Sequence, residues 1–180
     1  MKRPKLKLIA LAGVAGVLVG LSNAANALQA TTTFGVSATV FSNCTISAAN
    51  LAFGTYDPLS ASANNATGTV TITCTKNAAS TIGMDNGLNF AVTRNMKSGA
   101  GDLIAYSLGQ PPNNTVGTAC TFPAATAWTT VVGGLFTPAV APSKAARTYN
   151  TCGTIAPGVD VPGSVAGVAY NDTVTASVNF

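Results

Sequence analysis

The chain contains no histidine and no glutamate, and five aspartates are its whole acidic complement. Without histidine, the commonest general base and the commonest zinc ligand are missing. Asp57, Asp85, Asp102, Asp160 and Asp172 are scattered. They form neither the paired carboxylates of a glycosidase nor the clustered oxygens that calcium requires. There is no G-x-S-x-G elbow, no phosphate loop and no Gly-rich dinucleotide turn. Beyond residue 27 there is no S-x-x-K spacing either. The sequence therefore reads as a non-enzyme, with no cofactor and no metal.

Positive charge is scarce as well once its location is counted. Four of the nine basic residues, Lys2, Arg3, Lys5 and Lys7, lie at the extreme N-terminus. They precede an uncharged apolar stretch over residues 8–21 and an A-x-A site at Ala25-Asn26-Ala27. That is the layout of a secretory signal peptide over residues 1–27. The apolar stretch is short against the ~20 residues a spanning helix needs, so no stable membrane insertion is expected. After cleavage, Lys76, Arg94, Lys97, Lys144 and Arg147 balance the five aspartates, and the net charge falls from +4 to zero. A nucleic-acid partner would need a basic face, and none is left. So few charges give little repulsion between copies, which suits a protein that assembles.

Cys44, Cys74, Cys120 and Cys152 are an even set in an exported chain, so disulfides are expected. Three connectivities are open. Sequential pairing is preferred because each bridge then closes a loop of about thirty residues, worth ~3–4 kcal/mol in the chain-entropy model.

The hydrophobic period is two throughout, and clusters of Asn, Gly, Ser and Pro separate the segments, as expected of an all-β sandwich. Strands are predicted over residues 69–74, 88–92, 103–108, 127–132 (with the single tryptophan, Trp128) and 173–180. The last puts Val174, Ala176, Val178 and Phe180 on one face. Residues 31–40 alternate too, with Phe34, Val36, Ala38 and Val40 opposite Thr33, Gly35, Ser37 and Thr39. This segment reads either as the first strand of the protein's own sandwich or as a strand donated to a neighbour's sheet. Periodicity does not separate the two.

Two spaced motifs do. Residues 33–40 before Cys44, followed by Leu51-Ala52-Phe53-Gly54-Thr55-Tyr56-Asp57-Pro58, form the first. Arg94-Asn95-Met96 with Gly99 and Leu103, and the ending Tyr170-Asn171-Asp172-Thr173-Val174-Thr175, form the second. In combination they resemble the spore coat protein U domain family, which is similar to subunits of archaic (Csu-type) chaperone–usher pili. The resemblance implies a single incomplete immunoglobulin-like β-sandwich over residues 42–180, completed by a donor strand from another subunit. Residues 28–41 become that donor, through Phe34, Val36, Ala38 and Val40. Val174, Ala176, Val178 and Phe180 become the edge of the open groove. The implied partners are a periplasmic pilus chaperone, able to anchor the Phe180 carboxylate, an outer-membrane usher and other pilus subunits. The implied location is the periplasm in transit and then a pilus on the cell surface, supporting attachment or biofilm formation. Residues 149–158 follow the family pattern only in part, and Cys120 and Cys152 look like an added pair.

The competing expectation is a secreted monomeric sandwich that binds carbohydrate or another surface ligand, with Trp128 and Tyr149 as candidate sugar platforms. A tip adhesin would need a second, receptor-binding domain.

Overall fold

The computed structural model describes residues 28–163 and 167–180. The signal peptide expected over residues 1–27, with its Ala25-Asn26-Ala27 site, lies outside the described residues. The chain divides into two units, Met1–Ala38 and Thr39–Phe180. Every strand of the described structure belongs to the second: β1 (Cys44–Ala49), β2 (Asn64–Cys74), β3 (Thr81–Met84), β4 (Arg94–Ser98), β5 (Leu103–Gly109), β6 (Arg147–Ile155), β7 (Tyr170–Asn171) and β8 (Ala176–Asn179). The described residues contain no helix.

β2 shows why the chain folds this way. Val70, Ile72 and Cys74 fall on one face and are buried, while Thr69, Thr71 and Thr73 take the other. Threonine suits the outer face because its branched Cβ favours extended backbone and its hydroxyl finds cross-strand partners. Thr71 and Thr148 hydroxyls meet at 2.8 Å across the β2–β6 pair. The larger sheet runs β1-β2-β6-β5-β4-β7 and the smaller pairs β3 with β8. Every ladder is antiparallel. The core lies between the sheets, with Val70, Ile72, Ile104, Leu108, Tyr149 and Ile155 from one and Ile82 and Met84 from the other. Trp128, Phe136 and Tyr149 stack through it at centroid separations of 5.1 and 5.0 Å. Trp128 Nε1 donates to the Ile82 carbonyl at 2.9 Å, so its one polar atom is paired in the dry interior.

Two predicted strands are corrected. Residues 88–92 form an exposed loop, with Leu88 80% and Val92 91% exposed. The chain turns at Gly87, whose φ of +79° few other residues adopt, and a Cβ there would fall 2.1 Å from Asp172 Oδ2. Residues 127–132 make only a bridge from Ala127 to Gly109. A tight turn, with Thr129 N–H on the Gly134 carbonyl and Gly134 N–H on that of Val131, then diverts the backbone. The final strand is shorter than predicted, starting at Ala176. Trp128 and Tyr149 are fully buried, which removes them as a sugar platform. Conversely, β6 was not anticipated from the sequence. Its run R-T-Y-N-T-C-G-T-I has polar residues on both faces and so lacks the usual alternation.

The disulfides are Cys44–Cys74 and Cys120–Cys152, the sequential pairing, and no described cysteine is free. Cys44 and Cys74 are direct register partners at the ends of β1 and β2. Cys120–Cys152 ties the long excursion between β5 and β6 to the middle of the large sheet. Peptide mapping without reduction should recover these two pairs alone. Replacing both Cys120 and Cys152 by serine should lower the unfolding free energy, measured by denaturant titration, by roughly 3–4 kcal/mol.

Candidate functional site

β1 and β8 lie side by side but belong to different sheets, and no ladder joins them. A strand edge without a partner presents a row of free N–H and C=O groups. Beyond that contact a groove of about 790 Å³ opens between residues 48–54 and residues 168–174. Its apolar lining includes Leu51, Phe53, Val70, Met84, Met96, Ile104, Leu108, Ile155, Val174 and Ala176. Half of these are buried core residues and the others pack against the core, so the groove is the core left open along one side.

One flank rests on glycine. A Cβ at Gly68 would come within 3.0 Å of Leu51 Cβ, and one at Gly153 within 2.7–2.9 Å of the Leu51 methyls and the Phe53 ring. Gly153 pairs with Ala66, two residues from Gly68 on the neighbouring strand. The two glycines thus leave a shallow bed on which residues 51–53 lie flat. Tyr56 secures the following turn, donating to the Ala156 carbonyl at 3.0 Å and accepting from Val159 N–H at 2.8 Å.

The other flank is held by a polar network. Tyr106 OH donates to Asp172 Oδ2 at 2.6 Å, and Asn89 donates to Asp172 Oδ1 from both its backbone and its side chain. Burial pushes the Tyr106 hydroxyl well above its usual 10.0, and the bond to the Asp172 carboxylate pushes it further. Arg94 is buried and donates to the backbone carbonyls of Met84, Asp85 and Trp128. Asp85 Oδ1 accepts from Gly87 N–H and Thr175 N–H, each at 2.9 Å. Burial acts to raise the Asp85 carboxyl, but these bonds and the Arg94 charge outweigh it and hold it below 3.8. The network therefore ties residues 172–175 to β3, β4 and β5.

Of the residues singled out from sequence, Val174 and Ala176 line the groove, Val178 packs against the core, and Phe180 is 56% exposed beyond β8. Phe34, Val36, Ala38 and Val40 are all exposed, and no strand of the described structure includes residues 31–40. Sequence reasoning missed Leu51, Phe53 and the Tyr106–Asp172–Asn89 network. The spaced motifs contained Leu51, Phe53 and Asp172, but only the fold gives those positions their partners.

The Spore Coat Protein U domain profile matches residues 30–177, a span that includes residues 31–40 and both flanks of the groove. The chain belongs to the Spore Coat Protein U domain family. Its fold is similar to that of a chain in the crystal structure of the CsuC–CsuE chaperone–tip adhesion subunit pre-assembly complex from archaic chaperone–usher Csu pili of Acinetobacter baumannii. The TM-score is 0.55 at 23% identity, over 79% of this chain and 41% of that one. This protein thus spans about two fifths of the solved chain's length. Among curated proteins no sequence match is found. This Spore Coat Protein U domain is an incomplete immunoglobulin-like β-sandwich, all-β and open along one side.

The network should give the domain a stability limit at each end of the pH scale. Asp85, held low, contributes stability that is present above its ordinary value of 3.8 and lost as pH falls below it. Tyr106, held high, contributes stability that is present below pH 10.0 and lost as pH rises above it. Asp85→Ala should cost about 1–3 kcal/mol at neutral pH, because it removes two hydrogen bonds from backbone N–H groups to a carboxylate, and should flatten the acid limb. Tyr106→Phe should flatten the alkaline limb. Thermal melts from pH 3 to 11 check both.

Proposed function

We propose that this protein is a structural pilus subunit that polymerises by donor-strand exchange, after delivery by a periplasmic chaperone and an outer-membrane usher. One observation carries the reading. The sandwich has a groove floored by apolar core side chains, beyond two strand edges that no ladder joins, and the same chain carries an apolar alternating segment that joins no strand of the described structure. Family membership and the fold shared with a chain crystallised in a chaperone–pilus subunit complex support it.

On this reading, residues 31–40 of one copy enter the groove of another and lay Phe34, Val36, Ala38 and Val40 onto its apolar floor. Phe34, Val36 and Val40 are 86%, 84% and 83% exposed, so almost all their apolar area is available for burial. Each contributes roughly 1.5–3 kcal/mol when fully buried, and each new ladder bond adds about 1 kcal/mol. The sum makes a persistent polymer without nucleotide or cofactor. Before exchange the edge formed by Val174, Ala176, Val178 and Phe180 is an aggregation hazard, and the chaperone covers it. The protein then passes through the periplasm to a surface pilus, where it supports attachment or biofilm formation. The competing monomeric carbohydrate binder loses its aromatic platform, because Trp128 and Tyr149 are core residues.

Val36→Asp places an unpaired charge on the face to be buried, at a cost of several kcal/mol. It should block polymerisation while leaving the chaperone-bound subunit intact. Ser37→Asp puts the same charge on the opposite face and should be much milder. Electron microscopy of surface polymers, with co-purification of the chaperone complex, reads both. Loss of the chaperone-bound form in Val36→Asp would instead assign the segment to the subunit's own core, and normal polymers from both variants would end the donor-strand reading.

A further inference from the structure

The exported chain is neutral overall, but its charges are sorted along the strand direction. At one end of the β2–β6 pair, where β2 finishes and β6 begins, lie Lys76, Lys144 and Arg147. Lys76 is in the turn after β2, whose next residue donates from its N–H to the Ala141 carbonyl at 2.8 Å. Lys144 stands three residues before Arg147, the register partner of Ile72. Both lysines are exposed. Arg147 is 6% exposed, and its guanidinium donates to the Ala139 carbonyl and to Tyr149 OH, both neutral. Its Nε and Nη2 find no acceptor among the described residues. The other three cation and acid groups at hand, Asp85, Arg94 and Asp172, belong to the groove network.

At the opposite end, where β6 finishes and β2 begins, lie Asp57 and Asp160, both exposed. Tyr56, beside Asp57, bonds to Ala156 and Val159 in the turn that leads to Asp160. Lys97 and Asp102, on the β4–β5 hairpin, offset one another. β2 has eleven residues, so the two ends stand roughly 35 Å apart at about 3.3 Å per residue. That is several times the ~8 Å screening length at physiological salt, so the ends do not neutralise each other within one subunit.

Resting on the donor-strand reading, we infer that the cationic end of one subunit docks on the acidic end of the next, as a head-to-tail contact between copies of this chain. Two features besides charge complementarity fix the occupant as a second copy. The chain enters the sandwich at the cationic end, where Asn43 N–H donates to Thr75 Oγ1 at 3.1 Å and Thr75 N–H to the Asn43 carbonyl at 2.9 Å. The groove, in contrast, runs from the middle of the sheet, at Thr69, Val70 and Thr151, toward the acidic end at Ile155. Only Phe41, Ser42 and Asn43 separate Val40, the last apolar residue on the donor face, from β1, a reach of about 10 Å. A subunit whose donor fills a neighbour's groove must therefore bring its cationic end against that neighbour's body. The charge contact steers the encounter and sets its polarity, and the buried donor supplies persistence.

The test measures polymer growth of the exported protein by light scattering and electron microscopy across a salt series. Lys76→Glu/Lys144→Glu, and separately Asp57→Lys/Asp160→Lys, should each slow growth about tenfold at low salt. Near 1 M salt, where the screening length is about 3 Å, the difference should vanish. The fourfold variant reverses both ends and should regain the wild-type rate, which a mere folding defect would not. Wild-type rates and no salt dependence in both double variants would overturn the contact, as would failure of the fourfold variant to recover. Val36→Asp, run alongside, separates the two readings. If it stays blocked at every salt concentration while the charge variants behave as wild type, donor exchange stands and the charged contact falls.

Discussion

Two strand edges that face each other without hydrogen bonds govern this molecule. β1 closes one side of the large sheet and β8 one side of the small sheet, and beyond their contact the groove between residues 48–54 and 168–174 is floored by side chains that elsewhere would be sealed in the core. Burial of apolar area drives the fold, yet the domain keeps part of that area open because it lacks a strand to lay over it. An open edge of this kind is costly to leave in water and favourable to fill with any extended apolar segment of matching period.

The groove keeps its shape because both flanks are fastened independently of whatever fills it. The Cys44–Cys74 bridge pins the start of β1 to β2. Gly68 and Gly153 let Leu51 and Phe53 lie close against the sheet. On the far flank, Tyr106, Asn89 and Asp172 hold one end of residues 172–175 and Asp85 the other. Arg94 joins strand, loop and Trp128 by its bonds to three carbonyls. A preformed groove avoids much of the ordering cost that binding an extended segment would otherwise carry.

The charges follow the same economy. A surface with so few ionisable groups gains little from scattered pairs, since exposed ion pairs contribute only ~0–1 kcal/mol. Sorted to opposite ends, the same few groups produce a field that falls off within a subunit and, on the proposed head-to-tail contact, meets its complement in the next copy. Arg147, buried and paired only with neutral acceptors, adds to the cationic end without competing for an acid of its own.

Much of this was legible in the sequence. The alternation of Val70, Ile72 and Cys74, the even cysteines and the absence of histidine and glutamate determined an all-β, disulfide-bonded domain without a familiar catalytic constellation. The spaced motifs pointed to the family, because they record positions at which few residue types fit. What the sequence misjudged were local strands. Residues 88–92 carry a strand's apolar period, but the turn at Gly87 and the bonds to Asp172 and Thr173 hold them as a loop. Residues 147–155 have no such period, yet they form the central strand β6, because β2 and β5 on either side satisfy its backbone. Only the tertiary structure decided where the groove lies, that Trp128 and Tyr149 are core, that Tyr106 meets Asp172, and that the charges separate to opposite ends. The period of a segment is a property of neighbouring residues and can be read along the chain. A groove, a buried pair or a charged end is made by residues tens of positions apart, and their meeting is set by which strands pair and in what register.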